Sequence, residues 1–591
     1  MNDGLANVLH IDLSRKRFWV EERSELFDEM IGGSGAAIRL LEEECPKGAD
    51  PLGPENPIVL AVGPFTGLYP IASKTVAMFK SPLTGNLGES HCGGRSPIAI
   101  RFAGYGAIVI KGSSETPIYL AIHGGKVLFR DASVIWHMAN SATVGRILRE
   151  KEPGSGVRSI MRIGRAGENL VSYASVVTET YRHFGRLGLG AVFGSKRLKA
   201  IVISGRRSIP VSDMKGYRET YREIFELLAS AEMRKYHELG TSMNVNPLNE
   251  LGALPTRNLQ TSRFEHAEAL SGENFARKYL GRRVACAHCP VACIHLAALR
   301  EPYESEPYFY KTEMISYDYE PIYALGSMLG ISTPEALLRL MDKVEVLGLD
   351  VISTGVALSW ATEAQQKGIV STKETNGLKL NWNDEEQYSK AIEYIAAQVN
   401  DFFKALGKGV AYASSVYGGE EFALSFGGNE MPGYHTGPAA HIGFLIGSRH
   451  SHLDGAGYSI DQKAVANKII LTPREIVDRI VEEEAWRQVL SSLVICFFGR
   501  GVFKPALILL AFKAIGREVS EERLKRTGEN ILKKKYEFKR REGFSIDSLE
   551  IPERILQTET PLGYLSRETI REGLTTAELR LNSIMTRNIP S

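Results

Sequence analysis

Cys286, Cys289 and Cys293 stand as Cys-x2-Cys-x3-Cys within Val284-Ala-Cys-Ala-His-Cys-Pro-Val-Ala-Cys-Ile-His295. Three thiols this close in the chain point to a metal, because thiolates are soft ligands that select zinc, copper(I) or iron–sulfur clusters. The spacing suits a cuboidal four-iron site, which commonly takes one ligand from a distant segment. Structural zinc usually pairs two ligands with a second pair, and His288 and His295 keep that option open. The chain has six cysteines, so a fourth cluster ligand has to be Cys45, Cys92 or Cys496. Cys45 sits in Glu44-Cys-Pro-Lys, an ordinary exit from a helix. Cys92 sits in a glycine-rich turn. Cys496 lies in the apolar run Ser492-Leu-Val-Ile-Cys-Phe-Phe498, which suits a dry pocket, although a lone buried cysteine is often only a small hydrophobe.

Four glycine-rich stretches could bring backbone N–H groups close to an anion. They are Ile31-Gly-Gly-Ser-Gly35, Ser81-Pro-Leu-Thr-Gly85, His91-Cys-Gly-Gly94 and Gly185-Arg-Leu-Gly-Leu-Gly190. Arg182 and Arg186 flank the last and could pair with phosphate. Any one of these loops is explained by the tight turns of a strand-rich domain. Four in one region, beside a thiol cluster, favour an extended phosphate-bearing cofactor.

The elements that must position these groups fall into two kinds. Residues 1–208 read as strands: a hairpin over Val8–Val20, short β-branched runs at Ile58, Val76 and Ala107, a second hairpin at Pro117–Phe129, and a closing strand at Lys199–Ser204. From Ser212 the apolar spacing turns helical, over Met214–Leu239, Asp384–Leu406 and Thr472–Leu490. Ser332-Thr-Pro-Glu335 reads as a capping signal, with Glu335 reaching back. The expected architecture is α+β: an N-terminal β domain (1–208), a mainly helical domain (209–418) and a second mainly helical domain (419–591).

Length alone asks for several domains: 591 residues exceed one hydrophobic core. A hydrophobic fraction of 43%, a charged fraction of 24% and a net charge of +2 describe a soluble globular chain and argue against a general nucleic-acid binder. Few cysteines, half of them clustered, indicate cofactor use in a reducing compartment, hence the cytoplasm. The start Met1-Asn-Asp-Gly-Leu shows no signal peptide. The apolar region Val489–Phe512 is broken by Arg500, Lys504 and Pro505, so no membrane span is expected.

Read end to end, the chain resembles the tungsten- or molybdenum-pterin aldehyde ferredoxin oxidoreductase family. The resemblance rests on Gly63-Pro-Phe-Thr-Gly67, Lys80-Ser-Pro-Leu-Thr-Gly85, Phe102-Ala-Gly-Tyr-Gly-Ala-Ile-Val-Ile-Lys-Gly112, Ala166-Gly-Glu-Asn-Leu170 and Gly190-Ala-Val-Phe-Gly-Ser-Lys-Arg-Leu-Lys-Ala-Ile201. Ala324-Leu-Gly-Ser-Met-Leu-Gly330 and Leu347-Gly-Leu-Asp-Val-Ile-Ser-Thr-Gly355 continue it. It implies a two-sheet β base seating a bis-pyranopterin, with two helical domains above. It also implies a [4Fe-4S] cluster on Cys286, Cys289, Cys293 and Cys496. Each helical domain would offer one loop to a pterin: Glu345-Val-Leu-Gly-Leu-Asp350, with Glu345, Leu349 and Asp350 in contact, and Ser491-Ser-Leu-Val-Ile-Cys496, with Ser491 and Ile495 in contact. Lys74, Arg182, Gly185, Arg186 and Gly93 would meet the phosphates. The backbone carbonyls of His91 and His183 would hold a magnesium between them. Glu320 and His452, with His450 as second choice, match the family's candidate proton carriers.

Several positions depart from the family pattern. Lys74 replaces an arginine and loses the bidentate fork. Ser491 stands for an aspartate, so its bond to a pterin has no charge assistance. Val494 stands for a glycine, and a β-branched residue disfavours positive φ. Arg339 and Asp342 replace a Glu-x-x-His pair that ligates a subunit-bridging iron in some members. An arginine cannot ligate a cation, so any homodimer has to close without that iron, and Arg339 could pair with Asp342 instead. The resemblance implies oxidation of an aldehyde to a carboxylic acid, with ferredoxin or a dedicated iron–sulfur subunit as acceptor. Two alternatives keep parts of this: reduction of an aromatic thioester, and an electron-transfer subunit that has lost its pterin.

Overall fold

The computed structural model describes residues 4–138, 140–179, 181–303, 305, 306 and 308–586. Met1–Asp3, where the N-terminal reading begins, lie outside them. Two six-stranded sheets form the N-terminal part among the described residues. The strands are β1 (Asn7–Asp12), β2 (Arg17–Glu22), β3 (Ile58–Ala61), β4 (Thr75–Lys80), β5 (Leu87–Cys92), β6 (Ala107–Lys111), β7 (Ile118–His123), β8 (Lys126–Asp131), β9 (Val157–Ile163), β10 (Val176–Val177), β11 (His183–Phe184) and β12 (Leu198–Gly205). The first sheet runs β2-β1-β6-β3-β4-β5 and the second β11-β10-β9-β12-β7-β8. The expected hairpins are β1–β2, with Leu9 opposite Val20, and β7–β8, with Leu120 opposite Phe129.

Strand periodicity explains how the sheets stack. Successive side chains point to opposite faces, so Ile58 and Leu60 turn inward with Leu120, Ile122, Ile201 and Ile203 of the other sheet. Val59 and Ala61 turn outward under the helix Gly33–Glu44, joined by Val489, Leu490 and Leu493 from the far end of the chain. Each such fully buried aliphatic side chain is worth roughly 1.5–3 kcal/mol relative to exposure. The base is thus clamped by segments more than 400 residues away, as the bond from Gly35 N–H to Ser492 Oγ at 3.1 Å also shows.

The remainder is mainly helical around one continuous apolar core that includes Leu337, Trp360, Phe402, Ile442, Ile476 and Leu581. Three expectations are corrected here. The span Asp384–Leu406 is two helices, Glu385–Ala397 and Asp401–Leu406, divided at Gln398, whose φ is 51°. Glu335 does not reach back to cap its helix. Its carboxylate takes the Tyr279 hydroxyl, and Ser332 bonds Asn383. A three-stranded antiparallel sheet, β13 (Leu280–Val284), β14 (Ile294–Pro302) and β15 (Tyr310–Tyr317), lies within the part expected to be mainly helical, where no strand was expected. No helix among the described residues is long and apolar enough to cross a membrane.

Candidate active site and metal centre

The third sheet delivers the cysteine motif, because Cys286, Cys289 and Cys293 occupy the connection from β13 to β14. Left-handed residues at His288 (φ 63°) and Ala292 (φ 48°) fold that connection on itself. Cys496 arrives from the opposite direction. The helix Pro473–Ser492 opens with a capping box, in which Thr472 and Glu475 satisfy each other's backbone N–H. It closes by a bond from Ile495 N–H to Leu490 O at 2.9 Å, with Val494 at φ 55°. Val494 therefore takes the left-handed turn its side chain disfavours, contrary to the sequence expectation.

A strip of the β base joins the two cysteine loops. Ile71 N–H donates to His288 O at 3.0 Å, Ile71 O accepts from Cys496 N–H at 3.1 Å, and Lys74 N–H donates to Val494 O at 3.3 Å. Ala287 N–H donates to Gly94 O at 2.9 Å. All four sulfurs then line one cavity of about 230 Å³, together with Lys74, His91, Arg182, Asp318, Glu320, Tyr434, His452 and Ile495.

The residues fit a thiolate-bound cluster. A Cβ at Gly93 would sit 2.7 Å from Cys286 Sγ and 3.4 Å from Lys74 Nζ, so glycine alone leaves the sulfur side open. Burial pushes the Cys289 thiol up and the Cys293 thiol up to about 12, so a bare thiolate is costly at either sulfur. Burial also works against the Lys74 and Arg182 cations. The Cys496 and Cys286 sulfurs outweigh it at Lys74, and the Cys293 sulfur and Asp318 outweigh it at Arg182, holding both pKa values above the ordinary range. Of the histidines that would serve zinc, His295 has both ring nitrogens engaged, whereas His288 keeps Nδ1 without a partner. His288 Nε2 lies 3.3 Å from the Tyr221 hydroxyl, and His295 lies against the His237 and Cys293 carbonyls.

A second cavity of about 100 Å³ adjoins the first across the ion pair of Arg182 Nη1 and Asp318 Oδ2, 3.2 Å apart. His183, Gly185, Glu345, Leu349 and Asp350 line it. Asp350 caps the helix Val351–Gln366, accepting from Ile352 N–H and Ser353 N–H, and lies 3.3 Å from Arg186 Nε. Among the buried polar atoms without a hydrogen-bond partner are Arg186 Nη1 and His183 Nε2, the latter 3.6 Å from Glu345. Orphaned donors of this kind fit an anionic, hydrogen-bonding cofactor.

Glu320 and His452 meet in the first cavity, His452 Nε2 lying 3.4 Å from Glu320 Oε1. Burial raises the Glu320 carboxyl to about 8, against the opposing bond from Gly433 N–H to Oε2 at 3.3 Å. Burial and then the Arg186 charge lower the His452 imidazole to about 3. The pair is thus a protonated acid beside a neutral ring near pH 7 rather than an ion pair.

His450 does not join them. Its Nδ1 bonds Phe444 O at 3.0 Å and its Nε2 lies 3.0 Å from Lys539 Nζ, away from the cavity. Ser491 is buried against the glycine stretch Ile31–Gly35, where the helix Gly33–Glu44 begins, rather than facing either cavity: a Cβ on Gly33 would sit 2.2 Å from Ser491 O. Ser81–Gly85 is a turn closed by Gly85 N–H on Ser81 O at 2.9 Å. Of the four glycine stretches, only His91–Gly94 and Gly185 reach the cavities. Arg339 pairs with Glu301 at 2.7 Å and Glu385 at 2.5 Å, not with Asp342.

Some residues of the site carried no signal in the chain. Tyr434 and Thr241 line the first cavity from remote segments. Glu430, fully buried, accepts from Val410 N–H at 3.0 Å and shares the Ser353 hydroxyl with Asp350. Asp318 and Tyr319 were within reach of sequence reasoning, because they directly precede Glu320.

Comparison with known proteins agrees with this geometry. The chain matches the family models described as aldehyde ferredoxin oxidoreductase, N-terminal domain, over residues 8–205, and domains 2 and 3, over residues 219–580. A tungsten-containing aldehyde ferredoxin oxidoreductase of Thermococcus kodakarensis is 35% identical over 94% of this chain and 92% of its own length. The protein of that name from Pyrococcus furiosus is 32% identical over 96% and 94%. Another Pyrococcus furiosus protein, the WOR-like subunit of an aliphatic sulfonate oxidoreductase, is 34% identical over 66% of this chain and 64% of its own. Among solved structures, the active-site complex BamBC of benzoyl coenzyme A reductase shares the fold, with a TM-score of 0.80 at 20% identity over 98% of this chain and 95% of that one. Two family models that together span most of the chain, and relatives above 30% identity along nearly its full length, place this protein in the aldehyde ferredoxin oxidoreductase family.

Proposed function

We propose that the protein is a tungsten- or molybdenum-bis-pyranopterin and [4Fe-4S] oxidoreductase of the cytoplasm. It oxidises an aldehyde to a carboxylic acid and passes the electrons to ferredoxin or a dedicated iron–sulfur subunit. The observation that carries this reading is the single cavity in which four cysteine sulfurs from two distant segments face the Glu320–His452 pair. Cys286, Cys289, Cys293 and Cys496 would hold the cluster. Glu345, Leu349 and Asp350 would contact one pterin, and Ile495 the other. Lys74, Arg182, Gly185 and Arg186 would meet phosphate, with Gly93 leaving room and the carbonyls of His91 and His183 holding a magnesium. The β base 1–208 would seat this assembly, and the parts 209–418 and 419–591 would cover it. Any homodimer would form without a bridging iron, because Arg339 is engaged with Glu301 and Glu385.

When bound, the metal would accept the electron pair and the cluster would pass it on one electron at a time. The chain supplies the proton chemistry. Oxidation of an aldehyde with water releases two electrons and two protons, so a base must stand beside the reacting carbon. Ionised Glu320 takes that proton at Oε1, the oxygen free of the Gly433 bond. His452 Nε2, a neutral ring nitrogen, stands 3.4 Å from that oxygen. Tyr319, Tyr434, Phe497 and Phe498 wall the cavity and exclude water. Metal analysis of anaerobically purified protein, with an aldehyde-dependent dye-reduction assay, tests the proposal. Tungsten or molybdenum with about four irons per chain, and activity, is the expected result. Iron without tungsten or molybdenum would turn the reading to an electron-transfer subunit. Zinc without iron would end both.

A further inference from the structure

The chain is almost neutral, with a net charge of +2, yet its charge is uneven around the thiol site. Three segments wrap the cysteine loops: the helix Ala231–Glu238, the strand β13 up to Cys286, and the stretch from Cys496 to Pro505. Specific contacts bind them to the loops. The Tyr236 ring stacks on Phe498 with centroids 4.4 Å apart. His237 Nδ1 lies 3.0 Å from Val291 O, between Cys289 and Cys293. Arg283 Nη2 donates to Glu238 O at 3.5 Å, and Arg500 Nη1 donates to Phe497 O at 2.8 Å.

These segments carry Arg234, Lys235, Arg282, Arg283, Arg500 and Lys504 against only Glu232 and Glu238. All six basic residues but the partly covered Arg500 are exposed. Among the described residues, none of the six has a carboxylate within 4.0 Å, although some exposed arginines elsewhere, such as Arg339 with Glu385, are paired. Two like charges about 4 Å apart in water repel by about 1 kcal/mol. A crowd of unpaired cations is therefore not explained by the stability of the fold. Ala285, beside Cys286, is exposed within the same collar.

We infer that this collar is the docking surface for an acidic redox protein, whose own iron–sulfur centre it brings against the loops of Cys286 and Cys496. The inference rests on the proposed function, in which electrons leave through the cysteine-bound cluster. Each aldehyde oxidised would reduce two one-electron carriers, one after the other, and the two protons would go to water. Complementary charge raises the rate of encounter and fixes orientation more than it deepens affinity. The collar would therefore act on carrier kcat/KM and on its salt dependence.

The test uses the holoenzyme and the triple variant Arg234→Glu, Lys235→Glu, Arg282→Glu. Aldehyde-dependent reduction of an acidic ferredoxin and of benzyl viologen is measured at low and high salt, and ferredoxin binding is measured directly by titration. The expected result is a fall in ferredoxin kcat/KM of about tenfold to 10³-fold at low salt. The salt slope should flatten and binding weaken, while the viologen rate and iron content stay unchanged. Arg234→Lys with Arg282→Lys should retain the wild-type rate. Equal ferredoxin binding by wild type and triple variant would overturn the collar whatever the activity. If both proteins lack aldehyde-dependent viologen reduction while their ferredoxin binding differs, the docking surface stands and the catalytic reading falls.

Discussion

Two helices of this protein end in the same way with different residues. The helix Pro334–Leu347 runs into Glu345-Val-Leu-Gly-Leu-Asp350, and Pro473–Ser492 runs into Ser491-Ser-Leu-Val-Ile-Cys496. In the first, Leu349 N–H bonds Val344 O at 3.1 Å and Gly348 has φ 75°. In the second, Ile495 N–H bonds Leu490 O at 2.9 Å and Val494 has φ 55°. Glycine makes this turn without strain, but a β-branched residue pays about 1–3 kcal/mol for it. The β base grips both turns by their backbone: Ser175 N–H donates to Gly348 O at 2.8 Å, and Lys74 N–H donates to Val494 O at 3.3 Å. The surroundings, rather than the residue at the turn, decide this conformation.

What the two turns deliver should separate them most sharply. Cys496→Ser is expected to abolish the cluster, read as loss of iron and of the low-temperature EPR signal after dithionite reduction, while Asp350→Asn keeps both. An intact signal in Cys496→Ser would move the fourth ligand to Cys92 or to a histidine.

Glu320 lies between the turns, and the next largest effect falls there. Glu320→Gln should fold and retain its metals but lose about 10²–10⁴-fold in turnover, as for a missing general base. Wild-type turnover should rise with pH through about 8, as burial is overcome and the carboxylate forms, and the variant should lack this inflection. Stability moves the other way. Because the folded pKa lies above the ordinary 4.5, Glu320 costs native stability as pH climbs from 4.5 to 8. A flat wild-type pH profile would leave His452 as the proton carrier.

Exchanging the turn residues tests the grip itself. Gly348→Val should destabilise by roughly 3–5 kcal/mol in a denaturant melt. Its Cβ would sit 2.8 Å from Gly164 N, a backbone atom that cannot yield. Val494→Gly should be the mildest change. It relieves about 1–3 kcal/mol of strain and forfeits roughly 1.5–3 kcal/mol of burial, for a net effect within about 1 kcal/mol. Val59→Gly in β3, equally buried but unstrained, should cost several-fold more, and equal losses at the two sites would refute strain at Val494.

The same contrast marks what the chain made legible. The β-branched runs at Ile58, Val76 and Ala107 became strands because their apolar faces match both layers they separate. The sheet β13–β15 escaped notice because Ile294-His-Leu-Ala-Ala-Leu-Arg-Glu and Tyr310-Lys-Thr-Glu-Met-Ile carry helix-favouring residues, and pairing with distant partners overrode that preference. The three clustered thiols were readable from residue type and spacing, and Glu320 only through the family resemblance. Tyr434, Glu430 and the turn at Val494 were not, since each acquires its role only from neighbours that are remote in sequence.

The strip Ile71–Lys74, which bonds both cysteine loops, sets a timetable for assembly. During synthesis the strip emerges first, and three cysteines follow it by about 210 residues. Cys496 and the carbonyl of Val494 appear some 200 residues later still. Until then the strip has only one of its two partners and the thiol cage lacks a wall. A cluster carrier could thus load this protein only after translation has passed Cys496, and a chain truncated earlier would hold three thiols with no enclosed place to keep iron.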